Sequence, residues 1–363
     1  MTNRRTFLTS LAGLAATTGR AITPSPMNAA VEIIQKQIDT GTLESAVLHV
    51  RRGKDTFEQA FGKAANADAV FLLASITKTM TATAAMVLAD RGELRISDPA
   101  VKFLPEFNEG ARKEITLEHL LAHTSGLPDQ LENNAALRAR HAPLTEFVQG
   151  ALRTPLLFAP GMKYHYQSMG ILLAAEIVER ITQTPLPEFL AKEVFAPLGM
   201  SRSALGLGRF KIEDTIRCQT EHAAPESGAG DPKAASWDWN SPYWRNLAAP
   251  WGGAHGSAGD VARFLDSFLH LSGKVLRPET MKLMLQNHTQ GLAARRGIGF
   301  ALGPDGFGKD CSEQSFGHSG STGTLAWADP TTDTTCVILT SLPSRISGDT
   351  ILHPVSDVVA RPI

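Results

Sequence analysis

The chain has 363 residues, 43% apolar and 20% charged, a globular composition with enough length for a large core and two sub-domains. Its 35 Lys+Arg against 36 Asp+Glu give a formal charge of −1, which excludes the basic surplus of a nucleic-acid-binding protein, and its three cysteines exclude a disulfide-dense scaffold or a four-cysteine zinc module. No uncharged apolar run reaches the roughly 18 residues that span a bilayer.

Residues 1–21 read as an export signal. Arg4 and Arg5 form a twin-arginine pair followed by Phe7 and Leu8, a short apolar stretch runs from Leu11 to Ala16, and Gly19-Arg20-Ala21 offers a small-x-Ala cleavage site. A basic N-terminal helix is the bland alternative. The apolar stretch is too short for a stable membrane anchor. Similarity to twin-arginine signals implies passage across the membrane already folded, and a periplasmic or secreted mature protein. Losing Arg4, Arg5 and Arg20 with no acidic residue makes that mature chain more acidic.

Val31, Ile34 and Ile38 recur at helical spacing over 28–40. Ala46–Val50 and Thr56–Phe61 read as two strands joined by the turn Arg52-Gly53-Lys54-Asp55, a hairpin. A helix is predicted from Ser75 to about Arg91, with Ile76, Met80, Thr83, Ala84 and Val87 on its buried stripe and Gly92 beyond its end. Helical patterns recur at 116–123, 144–152, 168–182 and 187–195, punctuated by Pro and Gly. Residues 223–236, rich in Ala, Gly, Pro and Ser, read as a mobile surface loop. Ser257 is the expected N-cap of a helix to Leu271, with Asp260 three residues on. Strand-like runs return at 297–302, 323–328 and 335–341, and a short terminal helix is expected from about 350. The order strands, helices, strands predicts one sheet built by residues 22–92 and 251–363, with a helical sub-domain, 93–250, inserted between.

Three short motifs carry chemistry. Ser75-Ile76-Thr77-Lys78 places two side chains on one helical face, so an amine can reach a hydroxyl that needs a base to become nucleophilic. The helix N-terminus adds unpaired N–H groups and a positive dipole end for an oxyanion. Ser-x-x-Lys is common by chance, and helix capping explains Ser75 as well. Tyr166-Gln167-Ser168 follows Pro160-Gly161-Met162-Lys163 and precedes a helix; a Tyr among cations can be driven toward phenolate and act as a base, or can simply pack at a helix entrance. Gly317-His318-Ser319-Gly320-Ser321 precedes a strand-like run; a residue as small as Gly320 admits a substrate backbone, and the next N–H can face a carbonyl oxygen. A Gly-rich turn with a surface His is the alternative.

Taken together, the order and spacing of these motifs resemble the serine β-lactamase and penicillin-binding-protein superfamily, in the branch of class C β-lactamases, serine D-Ala-D-Ala carboxypeptidases and β-lactamase-like esterases. Leu120 through Leu127, Pro160-Gly161, Pro197-Leu198-Gly199-Met200 and Phe316 through Trp327 extend the similarity over roughly 28–360. The resemblance implies an α+β, β-lactamase/transpeptidase-like fold: an antiparallel sheet flanked by helices, with an inserted helical sub-domain and the cleft between. It implies Ser75 as the acylated nucleophile, Lys78 as the aid to proton removal and Tyr166 as general base and acid. The backbone N–H groups of Ser75 and Ser321 would form the oxyanion hole, and Ser168, His318 and Gly320 would bind substrate. The reaction would pass through an acyl-enzyme to water or another acceptor.

Two departures stand out. Ser168 occupies a position usually held by Asn and has one donor with less reach. His318 stands where Lys is frequent, so a grip on a carboxylate would depend on pH. Both favour an esterase or D-amino-acid peptidase over a dedicated β-lactamase, which remains the alternative. A non-catalytic binding or sensor protein on the same fold is the reading from another class, and the complete motif set argues against it. The expected partner is a small ester, amide or peptide, with no cofactor and no metal. His119 and His123 share a helical face but lack the adjacent Glu of a metalloprotease. A lipase elbow at Ser319 would have only His353 after it as a base. Trp237, Trp239, Tyr243, Trp244 and Trp251 either line the cleft or anchor a loop. Arg295-Arg296 reads as a solvated loop pair, with carboxylate binding as the alternative, and Cys218, Cys311 and Cys336 as buried thiols of which at most one pair could form a disulfide.

Overall fold

The computed structural model describes residues 24–361, so the export-signal reading of 1–21 lies outside the described residues. Nine strands are present among them: β1 Ser45–Arg52, β2 Asp55–Gly62, β3 Phe71–Leu72, β4 Ser203–Leu205, β5 Ala254–Gly256, β6 Ala301–Leu302, β7 Phe316–Gly320, β8 Thr324–Asp329 and β9 Thr334–Thr340. Six of them form one antiparallel sheet in the order β2-β1-β9-β8-β7-β6. The two ends of the chain meet where β1 pairs with β9, Val47 opposite Leu339.

The pleat explains why this sheet is buried on both faces. Ala46, Leu48 and Val50 of β1, Leu325 and Trp327 of β8, and Cys336 and Ile338 of β9 face the terminal helices Pro24–Asp39 and His353–Ala360. Val47, Ala326, Ala328, Val337 and Leu339 face the other way, into the larger core with the helix Ala258–Leu269. Strands covered on both sides carry continuous apolar runs, hence Cys336-Val337-Ile338-Leu339 in β9.

The hairpin is longer than expected, with Gly53-Lys54 as a two-residue turn in which Gly53 has φ +57°. Helices fall at Thr77–Asp90, Leu117–Leu121, Leu144–Arg153, Ser168–Thr182, Leu186–Leu190 and Ala258–Leu269. Ser257 caps the last of these, its side chain accepting from Asp260 N.

Three expectations needed correction. The helix Thr77–Asp90 has no single buried stripe: every residue from Thr77 to Leu88 is buried, because it runs through the core between sheet and helical region. Residues 297–302 supply only the short strand β6. Residues 223–236 are not purely a surface loop, since Ala223 and Ala234 are buried and Ser227 reaches the cleft. The small sheet β3-β5-β4 was not anticipated; strands of two or three residues are too short to show alternation.

Candidate active site

A cleft of about 170 Å³ lies between the sheet and the helical region, lined by Ser75, Lys78, Tyr166, Ser168 and Ser321 among others. Ser75 sits in a single 3-10 turn, Ala74–Ile76, that leads directly into the helix Thr77–Asp90. Ala74 has φ +46°, a left-handed conformation that costs a non-glycine residue about 1–2 kcal/mol. The surroundings over-determine it. Leu73 N donates to Ala254 O at 2.8 Å, Thr77 Oγ1 donates to Ala74 O at 2.6 Å, and Ala254 N donates to Thr77 Oγ1 at 3.0 Å. From the far side, Thr322 Oγ1 donates to Leu72 O at 2.7 Å and Thr324 Oγ1 to Leu73 O at 3.0 Å.

Gly320 belongs to the same construction. A Cβ there would lie 2.2 Å from Thr324 Oγ1 and 2.5 Å from Leu73 O. Its small size therefore serves the close approach of the Ser75 turn to β7.

Lys78 Nζ donates to Ser75 Oγ at 2.9 Å and to the carbonyl of Trp251 at 2.8 Å. The side chain is buried, and burial lowers its pKa to about 7, with Arg296 adding to the effect and Asp129 opposing it. An amine at that value is substantially neutral near pH 7, with a lone pair available. Tyr166 hydrogen-bonds Ser75, and Lys78 Nζ lies 4.8 Å from the centre of its ring. Burial raises the Tyr166 pKa, an effect that the Ser75 hydrogen bond and Arg296 only partly oppose. Burial thus opposes the drive toward phenolate that the sequence reading expects from nearby cations, and among those cations Arg296 lowers the pKa only in part.

The segment around His119 and His123 is a bracket for the Tyr motif. Gln167 N donates to His123 Nδ1 at 3.1 Å, Ser125 Oγ donates to Gln167 Oε1 at 2.6 Å, and Gln167 Nε2 donates to His119 O at 3.1 Å. The His123 ring lies 4.7 Å from the Tyr166 ring. His119 instead closes a capping box with Thr116, and no group of three or more metal-ligating side chains is present among the described residues.

His318 lies on β7, buried, its ring 6.0 Å from that of Tyr166. Burial holds its pKa well below the usual imidazole value, helped by Arg296 and Lys78. Its Nδ1 donates to Ser319 O at 2.6 Å, and its Nε2 is buried without a partner among the described residues. His318 is therefore neutral and presents no charge to a carboxylate near pH 7.

Ser168 opens the helix Ser168–Thr182, and its Oγ donates to Asp129 Oδ1 at 2.7 Å. Asp129 is a cleft residue the sequence reading missed; its only signal was an acid directly after Leu127-Pro128. Arg296 was missed too. Arg295 pairs with Glu313, whereas Arg296 lies 5.4 Å from the Tyr164 ring and 5.5 Å from the Tyr166 ring. Trp239, Trp244 and Trp251 line the cleft; Trp237 packs on Arg138 at 4.8 Å. Cys218, Cys311 and Cys336 are buried free thiols.

Comparison with known proteins agrees with this architecture. The structure of EstCE1, a hydrolase with promiscuous acyltransferase activity, superposes with TM-score 0.75 at 20% identity, covering 93% of this chain and 99% of that one. The D-amino acid amidase from Ochrobactrum anthropi SV3 complexed with L-phenylalanine amide gives TM-score 0.74 at 22% identity, covering 92% and 98%. Esterase EstB of Burkholderia gladioli is 30% identical over 282 residues, 70% of each chain. The family model described as Beta-lactamase matches residues 30–358, and the chain belongs to that family.

Proposed function

We propose that the protein is a serine hydrolase that cleaves esters or amides through an acyl-enzyme on Ser75. The observation that carries this reading is the 2.9 Å contact between Ser75 Oγ and a buried Lys78 whose pKa is lowered to about 7. In the neutral amine, the lone pair can accept the Ser75 proton across that contact as Oγ bonds to the acyl carbon. Tyr166 then donates its phenolic proton to the leaving group as the carbon–leaving-group bond breaks, and the Lys78 ammonium returns a proton to Tyr166. Water repeats the sequence in reverse to release the acid. The backbone N–H groups of Ser75 and Ser321 serve as oxyanion donors.

Two features favour ester or amino-acid amide substrates over β-lactams. Ser168 has one proton, and it is committed to Asp129. His318 is neutral where a β-lactam carboxylate would profit from a cation. EstB is an esterase by name, and its identity to this chain supports the same lean.

A fluorophosphonate probe should label the wild type and leave Ser75→Ala unlabelled; equal labelling of both would refute the nucleophile. In parallel assays, a short-chain nitrophenyl ester should be turned over faster than a chromogenic cephalosporin. We also propose export by the twin-arginine route. A reporter fused behind residues 1–21 should reach the periplasm, and a paired Arg4→Lys, Arg5→Lys change should retain it in the cytoplasm.

A further inference from the structure

A second cavity, of about 120 Å³, lies in the helical region. Leu144, Val148, Leu172, Ala175 and Leu186 make its walls apolar, and they come from the helices Leu144–Arg153, Ser168–Thr182 and Leu186–Leu190. Ala248 and Pro250 close it, while Trp251 and Gly252, next in the chain, line the catalytic cleft, so one segment borders both spaces. The two share no lining residue among the described residues. The wall is fixed in place: Thr81 Oγ1 donates to Pro250 O at 2.7 Å. An apolar cavity of about 150 Å³ holds a benzene ring, so a space near that size takes one small ring without rearrangement.

Two carboxylates complete the lining. Glu176 is matched, since its Oε1 accepts from Arg180 Nε at 2.7 Å, and the other two nitrogens of that guanidinium reach Glu106. Glu179 is not. Its Oε1 accepts from Leu186 N at 2.7 Å, and no ion pair among the described residues engages it. Burial raises its pKa; the Leu186 N–H opposes that and Glu176 adds to it. A half-buried carboxyl set among apolar side chains, with no cation of its own, is complemented by an ammonium carried on an apolar body. A neutral ring would fill the space and leave the carboxyl uncompensated, and an acid would place two anions together. We propose that this cavity is a binding site for a small hydrophobic amine, its ring among the leucines and its ammonium on Glu179, separate from the hydrolytic cleft. The site involves no turnover and does not depend on the acyl-enzyme reading.

Benzylamine and benzyl alcohol are the probes, since they share a ring and a size and differ in charge. Titrated by calorimetry into the full chain at neutral pH, benzylamine should bind at one site and about tenfold more tightly than benzyl alcohol. Glu179→Gln keeps an acceptor for Leu186 N and should bring the two affinities together. Ala175→Leu fills much of the cavity and should weaken both probes alike; if its urea midpoint shows that it does not fold, Glu179→Gln decides alone. Asp129→Asn, in the catalytic cleft, should leave benzylamine affinity unchanged. Equal wild-type affinity for the two probes, benzylamine affinity unaffected by Glu179→Gln, or its loss in Asp129→Asn overturns the proposal. So does the absence of saturable benzylamine binding at millimolar concentration. Each of these outcomes leaves the hydrolase reading intact.

Discussion

Ser168 Oγ donates its only proton to Asp129 Oδ1 at 2.7 Å, tying the start of the helix Ser168–Thr182 to the segment that follows the His119–Gly126 bracket. The last residue of the second motif is therefore spent on positioning a carboxylate. An Asn in its place would keep one donor for Asp129 and free a second for a substrate carbonyl. Ser168→Asn should raise cephalosporin turnover relative to ester turnover by severalfold. A ratio that stays constant when both substrates are assayed would show that Ser168 does not limit β-lactam recognition.

Lys78 sets the pH dependence. In the proposed mechanism its neutral form is the base, and burial lowers its pKa to about 7. Ester kcat/KM should climb about tenfold per pH unit on the acid side of that value and level off above it. Lys78→Ala should lose about a thousandfold or more. A flat profile between pH 5.5 and 8 would remove Lys78 as the titrating base.

In the proposed mechanism Tyr166 is the proton donor, in keeping with the burial that raises its pKa. Tyr166→Phe should lower kcat/KM for alkyl esters, which reports acylation, by about 10²–10⁴-fold. The loss should shrink for esters with acidic leaving groups, which depart without a proton. Equal losses across nitrophenyl and alkyl esters would argue against proton donation.

Gly320 is required by packing. In Gly320→Ala the new methyl meets Thr324 Oγ1 and Leu73 O, and the Leu73 carbonyl belongs to the turn that carries Ser75. We expect destabilisation of about 1–3 kcal/mol, read as a lower urea midpoint, together with loss of probe labelling at Ser75. Unchanged stability and labelling would mean that the turn can retreat freely.

Three buried histidines make the fold sensitive to mild acid. Burial lowers the pKa of His255 to about 3 and holds His123 and His318 well below the usual value. Unfolded imidazoles titrate near 6.5. Below that pH the unfolded chain binds protons that the native state refuses. Stability is therefore full above about pH 7 and falls as pH drops from about 6.5 toward each folded pKa, by about 1.4 kcal/mol per pH unit for each such proton. Urea midpoints should fall between pH 7 and 5, and the fall should be shallower in His255→Gln. Equal midpoints at both pH values would contradict native-state neutrality of these rings.

Local sequence was enough to place together side chains that lie within one turn or one strand. Ser75 and Lys78 are three apart, so helical geometry alone brings them together. The apolar runs of β8 and β9 and the Ser257 cap are short-range features too, and they led to the right elements. The joining of 45–62 to 301–340 in one sheet followed from element order and from the resemblance of the motifs. What the sequence could not decide were effects of surroundings. Whether Tyr166 is phenol or phenolate, and whether His318 is charged, depends on desolvation by residues far along the chain. Asp129 became a cleft residue because Ser168, 39 positions later, holds it there. Arg296 became a neighbour of Tyr166 because the loop before β6 brings its guanidinium to 5.5 Å from that ring. Covalent spacing settles which side chains share a face; only tertiary burial settles their charge, and therefore what each can do.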